Sequence, residues 1–123
     1  MKEIWYVGIG GFLGSVLRYG INLFSYRFYP IQLIPYGTLF VNCLGCFLAG
    51  ISLALLKKYN LNIESLNLFL ITGFLGAFTT FSAFGNESIK LFLSNQHQLF
   101  FGNIILNVFL SIFLVWVGYF FIR

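Results

Sequence analysis

The sequence predicts an all-α membrane protein with four transmembrane helices in a single domain over residues 1–123. Three observations predict it. The chain is 59% hydrophobic and 8% charged, with a mean hydropathy of +0.91, whereas a soluble domain carries roughly 25% charged residues on its surface. The apolar residues fall into four runs, about 4–26, 36–56, 65–94 and 99–122, each near the roughly 20 residues needed to cross a bilayer. These runs fill nearly the whole length and leave no room for a soluble domain. The first lacks a small-residue cleavage pattern and reads as a full span, not as a signal peptide.

The connections are short. Pro30 and Pro35 bracket the first, Lys57-Lys58-Tyr59-Asn60 closes the second span, and Ser94-Asn95-Gln96-His97-Gln98 forms the third connection. The net charge of +4 comes from Lys2, Arg18, Arg27, Lys57, Lys58, Lys90 and Arg123, which form no patch. Nucleic acid is therefore not an expected partner. The basic residues are expected at membrane edges, and the set Lys2, Lys57, Lys58 and Arg123 on one side favours cytoplasmic termini. Cys43 and Cys46 stand mid-span without a second pair, and His97 is far away, so the four ligands of a zinc site are lacking. Both cysteines read as small buried hydrophobes. No nucleophile, base and orienter are grouped, and an enzyme is not expected.

The first span carries Gly8, Gly10, Gly11 and Gly14. Gly10-x-x-x-Gly14 offers a face on which helix backbones approach closely. Arg18 is costly this deep in a membrane. It either snorkels to the interface or faces the bundle interior or a watery vestibule. In the second span Thr38, Asn42, Gly45 and Ala49 recur at helical spacing as one small, polar stripe. Asn42 can fasten two helices together or donate to an anion in transit.

The third span is too long for a single upright crossing. At 1.5 Å per residue, residues 65–94 reach roughly 45 Å against a core of about 30 Å. Either the helix tilts or protrudes, or it is two half-helices joined by an unwound turn, for which Thr79-Thr80 is the natural place. The stretch Gly73 to Phe84 interrupts its phenylalanines with hydroxyls and small residues. Irregular backbone at membrane depth is tolerated only where protein buries it or where it lines a cavity. Phe81 and Phe84, three apart, share a helix face, with Ser82 beside them and Glu87 one turn on. Ring edges are positive, so the pair either packs or helps to hold a small anion. Asn103, Asn107 and Ser111 form a second polar stripe in the fourth span.

Taken together, three motifs resemble the Fluc (CrcB) family of small bacterial fluoride channels. They are Gly10-Gly-Phe-Leu-Gly-Ser-Val-Leu-Arg18-Tyr19, then Gly37-Thr-Leu-Phe-Val-Asn42-x-x-Gly45-x-Phe47-x-x-Gly50, and Gly73-Phe-Leu-Gly76-Ala-Phe-Thr79-Thr80-Phe81-Ser82-Ala83-Phe84. Ser15, Leu75, Ala77 and Ala83 depart from the usual residues of those patterns, and Ala83 removes a hydroxyl from the expected path. The resemblance implies an antiparallel, dual-topology dimer of four-helix subunits with a broken third helix, formed by the chain with itself or with a paired homologue. It implies a fluoride path involving Asn42, Phe81, Ser82, Phe84, Arg18 and Glu87. It also implies a structural sodium ion at the dimer centre, held by the backbone carbonyls of Gly76 and Thr79. The expected role is passive export of toxic fluoride across the bacterial inner membrane.

A small proton-coupled multidrug exporter, also built from four short helices, is the alternative. It needs a carboxylate deep in the membrane. The acids here are Glu3, Glu64 and Glu87; the first two stand at span ends, and Glu87 lies beyond the phenylalanine pair.

Overall fold

A computed structural model describes residues 2–28, 35–59 and 64–123. Pro30 and Asn60, named above at the first and second connections, lie outside the described residues. The described chain is helical apart from short turns, and it contains no strand. Among the described residues four helices are long and apolar enough to cross a membrane: Lys2–Arg27, Tyr36–Lys58, Glu64–Leu93 and His97–Ile122. Helix is the form such apolar runs must take, because it satisfies every interior N–H and C=O within the segment where lipid cannot. Pro35 opens the second helix without interrupting it, its carbonyl accepting from the Leu39 N–H at 3.1 Å.

Glycine decides which helices meet. A Cβ on Gly10 would fall on the Phe69 carbonyl oxygen, one on Gly14 on the Phe74 carbonyl oxygen, and one on Gly73 against the Val7 carbonyl. The Gly10-x-x-x-Gly14 face is thus the seam between the first and third spans. The second and fourth spans share a seam of the same kind, in which Gly50 faces the Val115 carbonyl and Gly118 the Phe47 carbonyl. Along the first seam the facing residue numbers rise together, and the second and fourth helices meet at Asn42 with Asn107 and again at Lys58 with Ile122, so each pair of helices runs parallel. The second and third spans run antiparallel, with Thr38 reaching Glu87 and Gly45 lying against Thr79. The result is an up-down-up-down order in which residues 58 and 123 finish at the same end.

The interior of the chain packs polar groups among buried apolar ones such as Val41 and Phe78, and its outside is apolar. Thr38, Asn42, Thr80, Ser88, Asn103, Asn107 and Ser111 are buried, whereas Trp5, Phe12, Phe24, Phe109, Phe113 and Phe121 face outward. This inversion suits a lipid solvent, in which apolar exteriors cost nothing and interior polar groups fasten helices. Cys43 and Cys46 are free thiols and half-buried. Two stretches, Leu68–Leu75 and Leu106–Leu110, have the wider turns of a π-helix. Such turns are frequent at functional sites. The first runs directly into Gly76, and the second carries Asn107.

A tight turn closes the third span against the fourth. Asn95 takes a left-handed φ of 57°, which asparagine tolerates better than most residues. The Asn95 and Gln96 N–H groups donate back to the Phe92 and Leu91 carbonyls, both at 3.0 Å. That is the Schellman ending of a helix, with asparagine where glycine is commonest.

Candidate functional site

The site begins where Thr79 and Thr80 leave helical geometry. Helix Gly76–Phe78 gives way to extended backbone at Thr79 (φ −78°, ψ 157°) and Thr80 (φ −149°, ψ 118°), and helix Phe81–Leu93 follows. Local chemistry favours this. Thr79 Oγ1 donates to the Leu75 carbonyl at 2.9 Å, and Thr80 Oγ1 accepts the Ala83 N–H at 3.2 Å as the cap of the helix that follows. A threonine cap of this kind stabilises a helix start by about 1 kcal/mol.

Asn42 fixes the turn from the second helix. Its Oδ1 accepts the Thr80 N–H at 2.8 Å, and its Nδ2 donates to the Thr80 carbonyl at 3.1 Å. The same Nδ2 donates to Asn107 Oδ1 at 2.9 Å. From there the bonds run on in one direction. Asn107 Nδ2 donates to Asn103 Oδ1 at 2.9 Å, Asn103 Nδ2 donates to Ser88 Oγ at 3.0 Å, and Ser88 Oγ donates to the Phe84 carbonyl at 2.8 Å. The series leaves the third span at Thr80, passes through the second and fourth helices, and returns to the third span at Phe84. Every group within it is buried, so each bond also spares a polar group from lying unpaired in an apolar medium.

Phe81 and Phe84 sit between the two ends of that series. Their rings meet edge to face, with centroids 5.1 Å apart and an interplanar angle of 64°. Phe84 is 6% exposed and Phe81 79%. Both line a cavity of about 190 Å³ together with Asn42, Thr80 and Asn107. Arg18 and Ser82 line a different cavity, of about 480 Å³, with Thr80 and Asn86. Thr80 belongs to both cavities, and its Oγ1 lies 3.2 Å from Ser82 Oγ. Glu87 lines a third cavity, of about 240 Å³, with Lys90 and Gln96. Thr38 Oγ1 donates to Glu87 Oε1 at 2.6 Å, while the buried Glu87 Oε2 has no partner among the described residues. Within one chain the six residues named for the path therefore fall into three neighbouring cavities.

Sequence reasoning named Asn42, Asn103, Asn107 and Ser111 as polar stripes but did not join them, and Ser88 was not singled out. No local signal marks Ser88, because its role comes from Asn103 packing against it. The Thr38–Glu87 bond was missed for the same reason. Both residues had been noted, and only the antiparallel register of the second and third spans brings them together.

The carbonyls of Gly76 and Thr79 have a property suited to a cation. In a continued helix the Thr80 N–H would serve the Gly76 carbonyl, and the Ala83 N–H would serve that of Thr79. Here Thr80 N–H goes to Asn42 and Ala83 N–H to Thr80 Oγ1. Both carbonyls lose their helical donors at a position where Gly76 lies exposed and Thr79 half-exposed. Among the described residues no three or more His, Cys, Asp or Glu group together as a metal site.

Fold and site together define a small multi-pass membrane protein with a buried polar network around an aromatic pair in its third span. Comparison with known proteins gives the family. A family model described as "CrcB-like protein, Camphor Resistance (CrcB)" matches residues 5–119, and the chain belongs to that family. Its relatives include proteins named fluoride-specific ion channel FluC. The one from Flavobacterium psychrophilum is 46% identical over 118 residues, covering 96% of this chain and 94% of the relative. One from Campylobacter jejuni is 45% identical over 120 residues, covering 97% and 96%. One from Dehalococcoides mccartyi is 42% identical over 122 residues, covering 96% and 90%.

Proposed function

We propose that this protein is a fluoride channel, and that it carries the anion passively out of the cell across the bacterial inner membrane. The observation that carries the reading is the Phe81–Phe84 pair, set edge to face in a cavity shared with Asn42. A small anion stripped of water needs donors, and ring edges with one amide supply weak ones. Asn42 already gives its N–H groups to Thr80 and Asn107. Fluoride at the pair would take over one of those bonds, and the competition keeps the site weak enough to release the ion. Ser82 and Arg18 would receive the anion in the adjoining cavity, and Glu87 would stand in the vestibule beyond. An inside-negative potential favours outward movement by about 2.3 kcal/mol per 100 mV, so neither ATP nor proton coupling is required. The names of the relatives support the same substrate.

The working unit is an antiparallel dimer, formed by the chain with itself or with a paired homologue. Gly76, Phe81 and Ser82 are all exposed on the third span. A bare backbone carbonyl and a hydroxyl fare badly against lipid tails, and a second copy in inverted orientation covers them. The third span would then act as two half-helices whose junction lies on the dimer axis. The Gly76 and Thr79 carbonyls, relieved of their helical donors, are the groups that would hold a sodium ion there. When bound, that ion supplies a fixed positive charge between the subunits.

The test is anion efflux from liposomes holding the purified protein. Fluoride efflux with no comparable chloride efflux is expected. Equal flux of the two anions, or none, would remove the proposal.

A further inference from the structure

Contrary to the sequence expectation of no basic patch, the ends of the second and fourth helices bring Lys57, Lys58 and Arg123 together in a basic depression that conduction does not use. Lys57, Lys58, Tyr119 and Arg123 line it above Ala54, enclosing about 220 Å³. The parallel seam at Gly50 and Gly118 is what brings the two helix ends together. Each cation is held by an uncharged partner. Lys57 Nζ lies 5.9 Å from the centre of the Tyr119 ring, and the Arg123 guanidinium lies 5.6 Å from that of Phe120. Lys58 Nζ donates to the Ile122 carbonyl at 3.3 Å. No carboxylate side chain is among the lining residues. Three like charges around one small space repel one another unless they share an anion.

We propose that this depression binds the phosphate of an anionic phospholipid such as phosphatidylglycerol. An anionic phosphate group is the shared chemistry, and two features favour its lipid form over free phosphate. The depression lies at the ends of two helices long and apolar enough to cross a membrane, where a bilayer would place its headgroup phosphates, and basic pockets between such helices recruit anionic headgroups. Its floor at Ala54 and its wall at the Tyr119 ring are apolar, which suits a glycerol backbone and the start of an acyl chain more than a hydrated ion. The proposal does not rest on the fluoride reading.

Native mass spectrometry of the full chain in detergent tests it, with phosphatidylglycerol and phosphatidylcholine offered in turn. Phosphatidylglycerol should be retained selectively. K57Q, K58Q and R123Q should each weaken retention about fivefold, given the contribution of one cation near an anionic surface, and the triple variant should abolish selectivity. K2Q, which removes a cation on the same side but outside the depression, should bind as the parent does. A K57R/K58R double variant should bind as well, which separates charge from any effect on folding. Equal retention of the two lipids, an equal loss with K2Q, or failure of the K57R/K58R variant to bind would overturn the proposal. Displacement of the lipid by millimolar inorganic phosphate would overturn it in favour of a free-phosphate site.

Discussion

Asn42 and Thr80 exchange two hydrogen bonds across the second and third spans, one from the Thr80 N–H at 2.8 Å and one to the Thr80 carbonyl at 3.1 Å. A side-chain amide thus takes the place of a neighbouring peptide at the point where Thr80 is extended. Asn42→Ala should leave the Thr80 N–H buried and unpaired, costing about 1–3 kcal/mol of stability. It should also lower fluoride efflux, because the Phe81 backbone follows Thr80 directly. Asn42→Asp keeps the acceptor for Thr80 N–H but loses both donations, and should be impaired as well. Thermal unfolding in detergent, paired with liposome efflux, checks both variants; an Asn42→Ala protein as stable as the parent would show that the exchange does not hold the turn.

The two rings differ in burial, and that difference separates their roles. Phe84→Ile removes a buried ring and should lower both stability and flux. Phe81→Ile alters an exposed ring, so monomer stability should change little while fluoride flux falls tenfold or more, about 1.4 kcal/mol in barrier. Efflux measured beside size-exclusion chromatography distinguishes the cases. Unchanged flux in Phe81→Ile with an intact dimer would return the pair to plain packing.

Glycine substitutions should divide sharply along the seams. Gly14→Ala and Gly118→Ala each drive a Cβ into a backbone carbonyl of the facing helix and should cost about 1–3 kcal/mol or prevent assembly. Gly8→Ala meets nothing within 4 Å and should be neutral or stabilising by up to about 1 kcal/mol through helix propensity. Thermal midpoints for the three variants, measured in one detergent, decide the matter.

The junction after Phe78 should respond to the cation supplied. Replacing sodium with a large organic cation throughout purification should lower efflux and dimer stability, and restoring sodium should recover both. Thr80→Val removes the acceptor of the Ala83 N–H and should cost about 1 kcal/mol as a lost cap, with a weaker response to sodium. Efflux that is indifferent to the cation would remove the Gly76 and Thr79 assignment.

The four runs, the polar stripe through Asn42 and the Gly10–Gly14 face could be read from sequence because each is a local pattern. Apolar length sets a span, and helical spacing sets a face. The stripe of Asn103, Asn107 and Ser111 was readable for the same reason. Its connection to Asn42 was not, because a side chain's partner lies on another helix and depends on register. Asn42 illustrates the gap. Sequence left it either as a fastener or as an anion donor, and only the packed chain commits both of its N–H groups to Thr80 and Asn107.

By itself, then, the sequence determined an all-helical, four-span membrane protein and pointed to Gly73–Phe84 as its working stretch, since composition and periodicity are properties of the chain alone. Tertiary structure decided which helices run side by side, at seams where the absence of a Cβ lets backbones touch. It also decided that the helical donors for Gly76 and Thr79 are diverted elsewhere, and that a series of buried hydrogen bonds closes from Thr80 back to Phe84. Those outcomes depend on contacts between residues distant in the chain, whose geometry no local pattern can encode.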